Sequence, residues 1–433
     1  MVARKHLNVA IVGAGPGGLA TAIALSELPY VSVTVYERAP EPREVGAGIS
    51  IGRNGWNVLE LLGAADGVKG ATKQTPFQRN GRTGESIVPR ATTPPPLSPE
   101  EAKYESIRAR RTRLQAALLA RVPANTIRFN KKLVSLTDPG GEDGARLQFQ
   151  DATVASADLV VGADGIRSVV RQTLFPDHHL HFTGVTAWRV LVPVASIRHV
   201  AEFPTSTGWW HGLNGYFYFS HVDDEPDREL CEITVRSFDE PEVPGRTATW
   251  AIPSTNDRVR ARCGEYDPRI QAVLDVVPEG DWREFAMAAG PCLPEIQGWD
   301  KVALIGDASH PLSGAFGSGA AFAMEDGWIL ARAIEHTITS NTPIKDALEI
   351  FQRIRAPYYE RMHVVFLSSA WYDYLDRKAS EAKKARALNG DFDTVIKARV
   401  ASFGGAGADS LDWIYKNDIK QVWAEYVASV EGD

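Results

Sequence analysis

A chain of 433 residues, 44% hydrophobic and 23% charged, has the composition of an ordinary soluble globular protein and enough length for two or three domains. Its net charge of −7 argues against nucleic acid as a main partner, since phosphate binding needs a basic face. Cys231, Cys263 and Cys292 fall in no paired spacing and read as reduced thiols rather than a disulfide frame or metal site; no apolar run approaches the ~20 residues of a bilayer span. A cytoplasmic protein is expected, monomeric or homodimeric, without metal and with no membrane or nucleic-acid partner.

The chain opens with LNVAIVGAGPGGLATAIALSEL and then VSVTVYER. Leu7 to Val12 is an unbroken apolar run, which suits a parallel strand buried on both faces. Gly13, Gly15 and Gly18 follow with the spacing G-x-G-x-x-G, and a helix continues through Leu19, Ala22, Ile23 and Leu25. A second strand, Ser32 to Tyr36, delivers Glu37 nineteen residues beyond Gly18. Gly13 permits the tight turn, Gly15 lets backbone approach a pyrophosphate, and Gly18 lets helix and strand pack closely. The helix dipole favours phosphate, and Glu37 can accept from ribose hydroxyls. Together these parts predict adenine-dinucleotide binding.

Arg38 begins a loop that leads to GAGISIGRNGWNVLELLG, with glycines at 46 and 48 and a helix face of Trp56, Leu59 and Leu62. Residues 75–100, rich in Pro, Thr, Gly and Ser, form a long loop or an excursion into another domain. ESIRARRTRLQAALLARV reads as one amphipathic helix through Leu114, Leu118 and Leu119. Arg108, Arg110, Arg111 and Arg113 at its start oppose the helix dipole, which fits either a nearby anion or a solvated basic face.

Strand-like stretches at Ile127 to Asn130 and Leu147 to Phe149 precede DLVVGADGIRS, where a buried strand at Leu159 to Val161 turns at Asp164 into a helix near Arg167. Residues 181–290 alternate and carry Trp188, Trp209, Trp210 and Tyr216 to Phe219, so they predict a mostly antiparallel second domain with no second dinucleotide fingerprint. His178, His179 and His181 lack an acid at ligand spacing and read as a surface strand end. A third nucleotide-like segment, KVALIGDASHPLSGAFGSGAAFAMEDGWILARAI, holds a strand at Val302 to Ile305, the Gly306-Asp307 turn and a glycine loop through Gly314, Gly317 and Gly319. A helix follows, and Ile419, Trp423, Tyr426 and Val430 mark another near the end.

The motifs GAGPGG…YER, DLVVGADGIRS and GDASHPLSGAFGSGAAFAMEDG, in this order, resemble those of the single-component FAD-dependent aromatic monooxygenases, the salicylate hydroxylase-like branch in particular. The resemblance spans almost the whole chain. It implies an α/β fold: a Rossmann-like FAD-binding domain (1–75, 105–178, 291–345) interleaved with a mostly antiparallel substrate domain (179–290, with an excursion at 76–104), then C-terminal helices (346–433). It also implies FAD as cofactor, NADH or NADPH as transient reductant and O2 as co-substrate.

On this resemblance Gly13, Gly15, Gly18, Glu37 and Arg38 belong to the ADP half, and Arg111 meets the FAD phosphates with Gln115 one turn on. Asp164 belongs to the motif tied to FAD and nicotinamide-cofactor binding. Asp307 meets the ribityl chain and pyrophosphate. Gly317, Gly319 and Ala320 open a helix whose N–H groups favour the anion of reduced flavin. Many relatives have a proline where Gly314 stands; its carbonyl lies over the flavin, and glycine leaves that loop freer. His310 and Pro311 read as loop architecture.

The family often places a substrate-facing arginine near Arg189, which could hold a carboxylate or a phenolate; a surface ion pair is the other reading. Tyr216, Tyr218, Trp210 and His211 either line the pocket or pack the core, and His211 is a candidate base. The expected reaction is hydroxylation of a phenol or aromatic acid by a flavin hydroperoxide, salicylate to catechol being the leading version. The alternatives are another phenolic or heteroaromatic ring, a flavin halogenase (Thr249 to Pro253 matches half of that motif, with Ala248 for its first tryptophan), or an FAD-binding sensor.

Overall fold

The computed structural model describes residues 6–42, 48–72, 77–87, 98, 102–140, 144–201, 203, 207–222, 229–238, 240–243, 245, 250–312, 317–367, 392, 396 and 412–431. Gly314, Ala248, Thr249 and most of the Pro/Thr-rich stretch lie outside them.

The nucleotide half is built on a sheet of six strands, whose centre is three parallel runs from distant parts of the chain: Leu7–Val12, Leu159–Gly162 and Val302–Leu304. Apart from exposed Asn8 at the start of the first, each is apolar or ends in glycine, because both faces are covered. Val31–Tyr36 pairs parallel on the other side of Leu7–Val12 and ends beside Ile127–Arg128. A three-stranded antiparallel sheet (Leu133–Thr137, Ala145–Phe149, Val154–Ala157) packs its apolar face against this layer.

Helices Pro16–Ser26 and Gly319–Ser340 cover the sheet and touch through small residues. A Cβ on Gly17 would stand 3.0 Å from the Ala323 Cβ, and one on Gly327 would stand 2.3 Å from Thr21 Oγ1. The contact advances four residues on each helix, 17 to 21 and 323 to 327, so the helices run parallel with adjacent N-termini.

The other half is a seven-stranded sheet whose longest strand, His181–Pro193, pairs antiparallel with Leu230–Ser237 and Arg283–Ala289. Phe77–Asn80 joins its far edge in parallel with Gly208–Gly212. One face carries Trp188, Val190, Val192, Trp210, Phe217, Phe219, Cys231, Ile233 and Val235, buried with Ile270, Val273 and Leu274 of the helix Pro268–Asp275. The other face carries the alternate residues Trp209, His211, Tyr216, Tyr218, Arg189, Glu232 and Thr234.

One expected helix divides in two. Ile107–Arg110 is a strand, paired with Gly48–Ile51, and the helix occupies Arg111–Leu119. The four arginines therefore do not crowd one helix end: Arg108 and Arg110 alternate on a strand and Arg111 opens the helix. Leu114 and Leu118 are buried as the helical reading required, but Ile107 to Arg110 alternates apolar and charged residues and pairs as a strand.

His178 is buried, with Nε2 at 3.0 Å from the Pro291 carbonyl, whereas His181 is exposed at a strand start. Cys231 and Cys263 are buried and Cys292 is exposed. Among the described residues no helix is long and apolar enough to cross a membrane.

The glycine contact between the two long helices gives the first test. Gly327→Val should lower the thermal midpoint by several degrees, a cost of about 1–3 kcal/mol for an overpacked contact. A melt unchanged from wild type would show that the crossing relaxes freely.

Candidate functional site

The first turn assigns each glycine a separate task. Gly13 has φ +106°, and a Cβ there would stand 2.4 Å from the Ala163 carbonyl oxygen. A Cβ on Gly18 would stand 2.0 Å from the Gly13 carbonyl oxygen, inside any tolerable contact. Gly15 meets nothing within 4 Å, so its bareness serves no protein neighbour and leaves space for a ligand. Glu37, at the end of the second strand, accepts from Ala14 N–H with one oxygen and Ala39 N–H with the other, each at 2.8 Å. The acid thus braces the turn, and carboxylate lone pairs remain for hydroxyls.

Two positive helix ends meet here. Gly15 caps the first helix and Ser318 the second, neither with a side-chain bond to the backbone, and neither first turn holds an acid. Ser318 instead bonds Asn54, whose Nδ2 donates at 3.0 Å. Parallel helices with adjacent N-termini repel through their dipoles unless an anion lies between them. Gly317 (φ +68°) and Gly319 precede and open the second helix, and Ala320 is half-buried in its first turn.

Asp307 sits on the short turn Gly306–Ala308 that follows the third central strand. Its backbone is held from both sides. Asp326 Oδ2 accepts from Gly306 N–H at 2.9 Å, while Arg171 Nη1 donates to the carbonyls of Asp307 (3.2 Å) and Ala308 (3.0 Å). Among the described residues the Asp307 carboxylate has no hydrogen-bond partner. It is open to solvent in a cleft otherwise crowded by protein; that crowding raises its pKa, against the pull of the Arg111 and Arg171 guanidiniums. Arg111 is half-buried at the helix start, and Gln115 is buried one turn on.

Asp164 is spent within the fold: it accepts from Ser168 Oγ at 2.5 Å and from Val169 N–H at 2.7 Å, holding the start of the next helix. Exposed Arg38 lies near Arg167, whose pKa falls chiefly through burial and then through the Arg38 charge.

Arg355 was not singled out from the sequence. Wholly buried, it bonds Asp326 Oδ1 through Nε at 2.7 Å and lies 3.3 Å from Glu325, which accepts from Asn417 Nδ2 at 3.0 Å. Burial pushes Glu325 up to about 7 despite Arg355. His310, edge-on to the Tyr359 ring at 4.7 Å, is pushed down by burial to about 4 and stays neutral, which suits loop architecture.

The antiparallel sheet meets the nucleotide half at Glu232. This carboxylate, 1% exposed, accepts from Arg189 Nε at 2.8 Å and Nη2 at 2.5 Å, from Thr234 Oγ1 at 2.8 Å, from Gly48 N–H at 3.0 Å and from Arg108 Nη2. Arg189 also donates to the Gly48 carbonyl at 3.0 Å. Arg189 is therefore an ion-pair residue, on the sheet face turned to the nucleotide half. Tyr218 lies 5.8 Å below the Arg108 guanidinium and 4.9 Å from Trp209; Tyr216 accepts from Arg236 at 3.3 Å. His211 Nε2 pairs with Gln78 Oε1, a structural contact.

Trp210 corrects the sequence reading. It is buried against Phe203 at 5.5 Å on the opposite face, because strand neighbours alternate, and Trp209 takes the place expected of it. The signal was present in the spacing: Trp209 pairs with Tyr218, and His211 with Tyr216.

A glycine-cradled, doubly positive helix end with an unsatisfied acid beside it defines a dinucleotide-binding flavoprotein. Residues 6–363 match the family model described as FAD binding domain, and the chain belongs to that family as an FAD-dependent aromatic monooxygenase. It is 27% identical to a 6-hydroxynicotinate 3-monooxygenase of Bordetella bronchiseptica, over 84% of this chain and 91% of that one. It is also 27% identical to a salicylate hydroxylase of Pseudomonas putida, over 98% and 94%. A solved salicylate hydroxylase substrate complex shares the fold with TM-score 0.72 at 23% identity, covering 97% of this chain and 98% of the other.

Two expectations follow. Gly15→Ala should keep the wild-type melt while weakening FAD binding by at least about tenfold, roughly 1.4 kcal/mol, in a flavin-fluorescence titration. Gly18→Ala, which strikes the Gly13 carbonyl, should lower the melt itself.

Glu325 makes stability depend on pH. With the folded group at about 7 against an ordinary 4.5, the native state holds a proton that the unfolded chain has lost. The resulting stability is present at low pH and disappears as pH rises through that window, by an amount on the order of 1–3 kcal/mol. Glu325→Gln should flatten this slope in urea unfolding at about pH 5 and about pH 8.

Proposed function

We propose that this enzyme uses NADH or NADPH to hydroxylate a phenolic or aromatic-acid substrate, with decarboxylative hydroxylation of a salicylate-like acid to a catechol as the leading version. The observation that carries it is the aromatic, cationic sheet face of Trp209, Tyr218 and Arg189, tied through Glu232 to Gly48 of the nucleotide half. The salicylate hydroxylase match adds support because it runs through the C-terminal helices, whereas the 6-hydroxynicotinate match covers 84% of the chain.

FAD, when bound, would supply the oxygen-transfer chemistry, with NADH or NADPH as electron source and O2 as oxygen source. The chain's own residues hold, orient and shield. Gly13, Gly15 and Gly18 bring backbone to the pyrophosphate, Glu37 takes the ribose, and Arg38, Arg111 and Gln115 serve the phosphates. Asp307 would hold the ribityl chain, and the N-terminus of the helix beginning at Gly319 and Ala320 would favour negative charge on the bound cofactor. Arg189 directs its remaining guanidinium nitrogen at the substrate anion. Tyr216 and Tyr218, with Trp209, stack the substrate and keep water from the reacting edge.

A second reading, another hydroxylated or heteroaromatic ring, is favoured by the 6-hydroxynicotinate relative and by a 3-amino-4-hydroxybenzoate 2-monooxygenase of Streptomyces platensis, 28% identical over 84% of this chain. The test is a screen of salicylates, hydroxybenzoates and hydroxypyridines for stimulated NADH and NADPH oxidation, with products identified by mass. Catechol and carbon dioxide formed in step with reductant support the first version. Hydroxylated product with the carboxylate retained moves the assignment to the second. Reductant consumed only as peroxide with every compound overturns both.

A further inference from the structure

We infer that Glu232 sets the charge of the aromatic this site accepts, admitting a ring with a single negative charge, by cancelling one of the two guanidiniums beside it. The inference deepens the hydroxylase reading and rests on it. Arg108 comes from the nucleotide half and Arg189 from the sheet, and both point at the same buried carboxylate. All of Glu232's acceptor capacity is used by five donors from four elements, so it has none left for substrate and cannot act as a base. Burial works to raise its pKa, but Arg189 and then Arg108 outweigh it and hold the group ionised.

The arginines are not exhausted. Arg108 Nε is buried without a partner, and Arg189 Nη1 has none among the described residues. Two cations against one anion leave one surplus positive charge next to Tyr218 and Trp209. Two further cations share this face: Arg236 is engaged with the Tyr216 hydroxyl and lies over the Tyr216 and Phe238 rings, and Arg283, the register partner of Arg189, turns its Nη1 to the Gly280 and Trp282 carbonyls. In a partly buried setting an uncompensated charge is costly. A neutral ring leaves the surplus unmatched and a dianion overshoots it, whereas one carboxylate or one phenolate closes the balance.

The experiment titrates FAD-loaded enzyme, without reductant, with 4-nitrobenzoate, 4-nitrophthalate and 4-nitrotoluene as monoanion, dianion and neutral probes. Wild type should prefer the monoanion over both. Glu232→Gln adds one net positive charge and should move the ratio of dianion to monoanion affinity up by about tenfold, one pKa unit's worth of interaction. Arg189→Gln, on a side chain only partly buried, reads the same balance with opposite sign and should erase the monoanion's advantage over the neutral probe. Thr234→Val removes a donor to Glu232 but no charge, and should leave the ratios within about twofold. That pattern separates charge-setting from simple structural support, which would weaken all three probes alike. Ratios unmoved by both charge variants overturn the inference and spare the hydroxylase. Failure of every aromatic to bind or to stimulate NAD(P)H oxidation overturns the hydroxylase reading and the inference with it.

Discussion

The molecule turns on one close crossing, where Gly17 and Thr21 of the first helix meet Ala323 and Gly327 of another more than three hundred residues away. Larger side chains would push the axes apart. Because these are small, two parallel helices lie close enough for their N-termini to form one positive end. In isolation that alignment is unfavourable, since the dipoles repel. It becomes favourable when a pyrophosphate and an electron-rich ring occupy the shared end, so the packing inside the protein already implies the charge of what binds outside it.

The turn at Asp307 depends on the same crossing. A Cβ on Gly306 would stand 2.9 Å from the Ala323 Cβ, so the turn rests directly on the second helix. Asp326 from that helix takes the Gly306 N–H, and Arg171 takes the Asp307 and Ala308 carbonyls. Buried ions are rarely the cheapest way to stabilise a core, since desolvation offsets most of their attraction. Here the Arg355–Asp326 pair has a geometric consequence that an apolar replacement would lack: it fixes an acceptor under one N–H, and so fixes the backbone that carries Asp307.

The parts of this arrangement legible in the sequence are those governed by local backbone demands. The glycine spacing, the apolar central strands and the acid at Glu37 are short-range requirements of a turn, a doubly covered sheet and a dinucleotide, and each stands in contiguous residues. The three motif segments were also separable from the aromatic sheet region by their change of period. What the sequence hides is pairing between distant residues. Arg355 looks like one more charge on an amphipathic helix, and Glu232 like a polar residue between Cys231 and Ile233 on a strand. Only the fold brings each beside its partner. The Trp209–Trp210 pair shows the finer limit: composition marks both as aromatic, and the register with Tyr218 and Phe217 decides which one faces the site.

Period, not composition, also explains the misread arginine segment, and the consequence reaches the chemistry. Read as one helix, Arg108 and Arg111 would lie within a turn of each other on the same element and serve a single anion. Folded as strand then helix, they diverge: Arg108 joins Glu232 under the aromatic face, while Arg111 opens a helix whose charge is felt by Asp307. Three residues of chain therefore couple two charge systems, one at Arg111 and Asp307 and one at Glu232 on the sheet. A shift in the Ile107–Arg110 strand would move both cations together, so the Glu232 cluster and the charge felt by Asp307 are linked through this short segment.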